Sequence, residues 1–134
     1  MPVTVPLWAA LFALLAALIH IYIFVLESLW WTRPATRKTF GIRTVEAAET
    51  MRPMAYNQGF YNLFLALGVI VGWLLTFATN STLSQTGIGM ALLALASMSG
   101  AALVLVFNNS KMLRAALVQG LAPAIALLLL FVLG

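Results

Sequence analysis

A 134-residue chain that is 63% hydrophobic and 7% charged lacks the ionised surface that a soluble domain of this size needs, so it reads as an integral membrane protein. Its formal charge of +4 comes from seven basic and three acidic residues, and the excess sits in one juxtamembrane connection, which suits cytoplasmic retention or anionic lipid and leaves nucleic acid out as a partner. With no cysteine there is no disulfide, thiolate nucleophile or sulfur-ligated metal.

A hydrocarbon core of about 30 Å takes about 20 apolar helical residues to cross, and four stretches are long enough. The first runs from Pro6 to Trp31, with Pro6 suited to an opening helical turn. It has no basic leader and is too long for the apolar part of a signal peptide, so it is expected to stay as a helix. The connection Thr32 to Met54 follows, holding Arg33, Arg37, Lys38, Arg43 and Arg52. Within it Thr44 offers an N-cap, Glu46 and Glu49 come early and Arg52 comes late, which predicts a short interfacial helix over Thr44 to Arg52.

The second span, Ala55 to Phe77, contains Gly68 and Gly72 at a close-packing interval, read as a contact within the bundle rather than a dimer seam. Ala78 to Gln85 is short, uncharged and rich in Ser, Thr and Asn, hence a simple turn; the glycosylation sequon at Asn80 carries no weight. Thr86 to Phe107 and Met112 to Leu133 complete the set, and Trp8, Trp30, Trp31 and Trp73 fall toward span ends as interfacial anchors. No internal repeat is evident. The expectation is an all-α fold, a single transmembrane domain over residues 1–134: a four-helix bundle with a short interfacial helix in its first connection.

Lys111 and Arg114 lie in or beside the third connection, while the N-terminus, second connection and C-terminus carry no Lys or Arg. Basic residues are retained inside during insertion, so a multi-pass cell-membrane protein is expected with its first and third connections cytoplasmic and both termini outside.

An ionisable side chain inside an apolar span costs several kcal/mol unless paired or hydrated, so each is a functional candidate. His20, Phe24, Glu27 and Trp31 superimpose on one face of the first helix. At about 1.5 Å per residue, His20 and Glu27 stand about 10 Å apart along the axis, so a polar chain or a ligand lying against Phe24 is needed to connect them. The second helix opens with an amide-rich stretch at the depth of Glu27: Asn57 and Tyr61 share one face, Gln58 and Asn62 an adjacent one, and Gly59 permits close approach. Amides pair with a carboxyl in either protonation state.

The fourth helix adds Gln119, Gly120 and Pro123; Pro123 frees the carbonyl of Gln119. Asn108 and Asn109 end the third helix at the same level. Nearly all the strongly polar intramembrane groups thus fall in the cytoplasmic halves of their spans. A polar vestibule open to the cytosol and an apolar plug toward the outside are expected.

At Asn57-Gln-Gly-Phe-Tyr-Asn-Leu-Phe-Leu-Ala66 the chain resembles a family of small bacterial membrane proteins catalogued as domain of unknown function 1304. The likeness extends to the stripe of His20, Glu27 and Trp31, to Phe40-Gly41 and to Val118-Gln-Gly-x-x-Pro123, and covers essentially the whole chain. Phe107-Asn-Asn-Ser110 departs most from the pattern. The resemblance implies a four-helix integral membrane protein and a shared polar set; it implies no reaction.

Three functions fit these residues. In the first, the helices enclose a cytosol-facing pocket for a small amphipathic or lipid-like molecule, membrane lipid included. His20 and Glu27 are its ionisable, potentially catalytic contacts. Asn57, Gln58, Tyr61, Asn62 and Gln119 orient the ligand, and Phe24 with Trp31 supplies apolar or cation–π surface. Acid/base chemistry of the isomerase kind is the reaction class the chain supports, and whether it is an enzyme stays open. In the second, Glu27 alternates between a proton and a transported substrate, by architectural analogy with small four-helix exporters. The charge bias opposes dual insertion, while a parallel homodimer is compatible with it. In the third, the chain is an accessory subunit of a larger membrane complex.

Plainer readings stand beside these. Glu27 snorkels to water or pairs with Arg33, Arg37 or Arg52. His20 is a neutral imidazole tied to a helix carbonyl or a neighbouring amide, and the amides are interhelical glue at about 0.6 kcal/mol each. One His and one shallow Glu fall short of a metal-ligand set, and a haem bridged by His20 needs a dimer, so no metal and no cofactor are expected.

Overall fold

The computed structural model describes residues 4–134. Its elements in chain order are α1 (Leu7–Phe24), a π turn (Val25–Leu29), α2 (Pro34–Thr39), α3 (Val45–Leu75), α4 (Ser81–Asn108), one 3-10 turn (Ser110–Met112) and α5 (Leu113–Leu133). No strand occurs among the described residues. Four stretches are long and apolar enough to cross a membrane: Leu7–Leu29, Val45–Leu75, Ser81–Asn108 and Ser110–Leu133. The all-helical architecture with four spans is the one expected.

Its boundaries differ from expectation at three places. Thr44 does cap a helix, its Oγ1 accepting from the Ala47 amide at 3.1 Å, but that helix does not stop at Arg52. It runs on through Pro53 as α3, whose exposed early turns tolerate the missing amide hydrogen. The short helix of the first connection is α2 instead. Pro34 starts it, and Gly41 ends it at φ +69°. There Ile42 N–H donates to the Arg37 carbonyl at 2.8 Å and Gly41 N–H to that of Lys38 at 3.2 Å, a Schellman cap that needs the left-handed residue. Finally, α4 begins at Ser81 because Asn80 caps it, its Oδ1 accepting from the Leu83 amide at 3.1 Å.

The chain divides into two compact units: residues up to Ile19 with Leu65–Gly134, and His20–Phe64. The larger packs through small side chains. On α1, Ala9, Ala13, Ala16 and Ala17 are buried while Leu7, Leu11, Leu14, Leu15 and Leu18 face outward. Lipid tails are as apolar as leucine, so nothing drives leucine inward, and small residues that let backbones close up take the interior. Gly72 and Gly87 show this most sharply. A Cβ on Gly72 would lie 2.7 Å from the Gly87 carbonyl oxygen and 2.8 Å from the Ala91 amide nitrogen. Gly68 and Gly72 thus serve the contact of α3 with α4 inside one chain. Gly120 on α5 does the same against Ala102 on α4, where a Cβ would approach the Ala102 methyl to 2.5 Å.

A cavity of about 20 Å³ in this unit is lined by apolar side chains including Ala9, Val69, Trp73, Ile88, Leu95 and Leu130. It is far smaller than the roughly 300–1,000 Å³ of ligand pockets. None of the predicted site residues lines it.

In the smaller unit, Trp31, Ala48 and Ala55 form a buried cluster with Phe40 and Ile42 packed on it. The Trp31 indole Nε1–H donates to the Ala48 carbonyl at 2.8 Å, so the buried ring has a partner for its polar edge. This cluster folds the first connection onto the opening turns of α3.

Candidate functional site

The site is built on an irregularity in α1. At Val25 the helix widens into a π turn, with the Trp30 amide donating five residues back to the Val25 carbonyl at 2.9 Å. Such turns interrupt a regular ladder and recur at functional sites. Glu27 and Ser28 stand within it, and both engage α3. Ser28 Oγ donates to the Tyr56 carbonyl at 2.8 Å. Opposite lies Gly59, where any Cβ would overlap Ser28 Oγ and sit 3.0 Å from the Ser28 amide nitrogen. That glycine lets the two backbones meet.

One turn further along α3, Asn62 Nδ2 donates to Glu27 Oε2 at 2.8 Å and to the Gln58 carbonyl at 3.1 Å. Both hydrogens of the amide nitrogen are thereby used, and Asn62 is fixed with its nitrogen toward the carboxyl. Glu27 is half-buried, and Asn62 holds it through Oε2. The ion pair with Arg33, Arg37 or Arg52 envisaged for Glu27 does not form; Arg52 pairs instead with Glu49 at 3.5 Å on the surface.

Aromatic rings join the same two elements. Phe24 meets Phe60 edge to face with centroids 5.1 Å apart, and Tyr56, Phe60 and Phe64 follow one another along α3 at 5.1 and 6.2 Å. One helical turn of α1 toward its start, His20 is buried at 1% exposure.

Of the residues singled out in the sequence, the structure brings together Glu27 with Asn62 and with the backbone carbonyl of Gln58, while Phe24 packs on Phe60. The side chains of Asn57, Gln58 and Tyr61 are exposed on α3. Trp31 belongs to the connection cluster, its N–H occupied by Ala48. Gln119 stands half-buried in the larger unit, one turn before the buried Pro123 of α5. Asn109 is a cap, its Oδ1 accepting from the Lys111 amide at 3.1 Å, and Asn108 is exposed.

Sequence reasoning missed Ser28 and Phe60. A small hydroxyl beside the carboxylate was a readable signal for the first, and Phe24 at matching depth for the second. The π turn left no signal, since Val25 to Leu29 contains neither glycine nor proline.

A family model described as protein of unknown function, DUF1304, matches residues 14–131. The chain belongs to this family. The matched stretch of this DUF1304 chain begins in α1, ends in α5 and contains every residue of the candidate site. No curated protein and no solved structure was found to match it. Membership carries no reaction, so the chemistry has to be argued from Glu27 and its surroundings.

Proposed function

We propose that this chain is a cell-membrane protein, with both termini outside and its first and third connections in the cytoplasm, that binds a small amphipathic, lipid-like molecule at Glu27. The observation that carries the reading is a carboxyl group inside a membrane-spanning stretch that is held by Asn62 through one oxygen and is paired with no Lys or Arg among the described residues. An ionisable group in a span is costly and needs a compensating partner. A cationic or hydrogen-bond-donating headgroup supplies one, and the Phe24–Phe60 pair offers apolar surface to the tail. Asn57, Gln58 and Tyr61, exposed around Asn62, are the side chains available to orient the headgroup.

Glu27 and His20 extend this reading toward acid/base chemistry on the bound molecule, because each can carry a proton. The primary test is binding. Purified protein in mild detergent is titrated with a long-chain alkylammonium and with an uncharged alkyl glycoside of the same chain. The wild type is expected to bind the ammonium saturably and to lose that preference in Glu27→Gln. Equal binding by wild type and variant would overturn the reading. Small molecules that co-purify with the wild type and not with the variant would identify the ligand by mass.

A further inference from the structure

The stretch from Arg33 to Arg43 carries Arg33, Arg37, Lys38 and Arg43 and no acidic residue. The ion pair found among the described residues joins Glu49 to Arg52, so none of these four cations is neutralised by a carboxylate of the protein. Positive charge alone would serve topology on a floppy loop. This loop is folded: α2 is closed by the Gly41 cap, and Phe40 and Ile42 pin it to Trp31 and Ala48.

The folding fixes the backbone that carries the cations. Arg33 and Arg37 are four residues apart at the start of α2, with the Arg37 amide donating to the Arg33 carbonyl at 2.9 Å. The Arg37 guanidinium reaches the Arg43 carbonyl at a long 3.5 Å, which brings the backbone of the fourth cation beside it. Arg37 Nε is buried with no hydrogen-bond partner, so the part of this guanidinium that could meet a ligand is its terminal nitrogens, one of which is engaged only by the long bond to Arg43. The Arg33 guanidinium lies over the Trp30 ring, 4.2 Å from its centroid.

We propose that this folded segment is a binding site for the phosphate of an anionic membrane lipid, separate from the site at Glu27 and independent of it. Three of the four cations are arginine, whose planar fork matches phosphate oxygens two at a time, where bulk retention of charge would be served equally by lysine. A membrane source is favoured over a dissolved anion by the tethering. The segment leaves one membrane-crossing stretch at Leu29 and enters the next at Val45, so it cannot move away from the headgroup layer. Trp30 beneath Arg33 is the residue type that settles at that level.

The test uses the full chain in detergent, with bound lipid counted by native mass spectrometry during titration with phosphatidylglycerol or with phosphatidylcholine of the same acyl chains. Phosphatidylglycerol is expected to bind in preference. The Arg33→Gln/Arg37→Gln/Lys38→Gln variant should lose affinity for it by roughly fivefold per charge, about a hundredfold in all, with phosphatidylcholine unchanged. Equal binding of the two lipids by the wild type would overturn the proposal, and this comparison stands even if the triple variant fails to fold. So would a folded triple variant that keeps wild-type affinity. Inorganic phosphate that displaces the lipid at equal concentration would also overturn it, because the site would then read a free anion.

Discussion

Asn62 Nδ2 donates to Glu27 Oε2 at 2.8 Å, joining α3 to the π turn that follows α1 across 35 positions of sequence. Interhelical hydrogen bonds in membranes average about 0.6 kcal/mol and reach about 1.7, and this one is short and part-buried. A double-mutant cycle of Glu27→Leu and Asn62→Leu, read by thermal unfolding in detergent, should therefore return a coupling of about 1 kcal/mol. A coupling indistinguishable from zero would show that the bond contributes nothing to holding the two elements together.

Gly59 makes that bond attainable, because it lets α3 approach Ser28 closely. Gly59→Ala should lower the unfolding temperature, since its methyl overlaps Ser28 Oγ and crowds the Ser28 amide. The added Ser28→Ala change should restore part of the loss by removing the hydroxyl. Gly89→Ala is the control: a Cβ there meets nothing within 4 Å, so it should be neutral or raise stability by up to about 1 kcal/mol through helix propensity. If Gly59→Ala and Gly89→Ala melt alike, the close approach at Ser28 is not a constraint.

A harder clash is expected at Gly72. Its hypothetical Cβ meets backbone atoms, the Gly87 carbonyl oxygen and the Ala91 amide nitrogen, which cannot rotate aside as a serine hydroxyl can. Gly72→Ala should cost more than Gly59→Ala, on the order of 1–3 kcal/mol for overpacking an interior that cannot relax. Thermal unfolding of the two variants side by side decides the order, and the reverse ranking would mean that α3 and α4 separate easily.

Much of this was legible in the sequence, and the reasons differ by residue. The spans show because apolar length is imposed by the bilayer. Asn62 and Glu27 show because polar groups are rare where lipid surrounds them. Thr44 shows because capping is a local rule. The continuation of α3 through Pro53 is hidden, because whether a proline ends a helix depends on what surrounds the turn. The π turn at Glu27 is hidden too: it is held from α3 by Ser28 and Tyr56, and no pattern within Val25 to Leu29 encodes it. Exposure of Asn57 and Tyr61 follows from how α3 is rotated, which a helical wheel alone leaves free.

The first connection should behave as a folded element. Trp31→Phe keeps an aromatic ring but removes the N–H that donates to the Ala48 carbonyl and part of the buried indole, and should cost at least about 1 kcal/mol. Gly41→Val should cost about 1–2 kcal/mol from its left-handed backbone alone, and Gly41→Asn less, since asparagine tolerates that region. Hydrogen exchange over α2 is the sensitive readout: both Trp31→Phe and Gly41→Val should raise amide exchange there. Unchanged protection in both would mean that α2 is held by something other than the Trp31 cluster.

Orientation is the prediction on which a cytosol-facing site depends, and the chain is suited to test it. It contains no cysteine, so a single introduced thiol is the sole target for a membrane-impermeant maleimide. Thr4, Thr39, Thr79 and Ser110 are exposed and sample the N-terminal segment and the first, second and third connections. With all seven Lys and Arg in or beside the first and third connections, cysteines at positions 4 and 79 should label in intact cells, and those at 39 and 110 only after permeabilisation. The reverse pattern would place Glu27 and the Arg33–Arg43 cations near the outer face, and an amphipathic ligand would then have to arrive from outside. Labelling of all four positions in intact cells would mean that the chain inserts both ways, leaving the concentrated basic connection without its topological role.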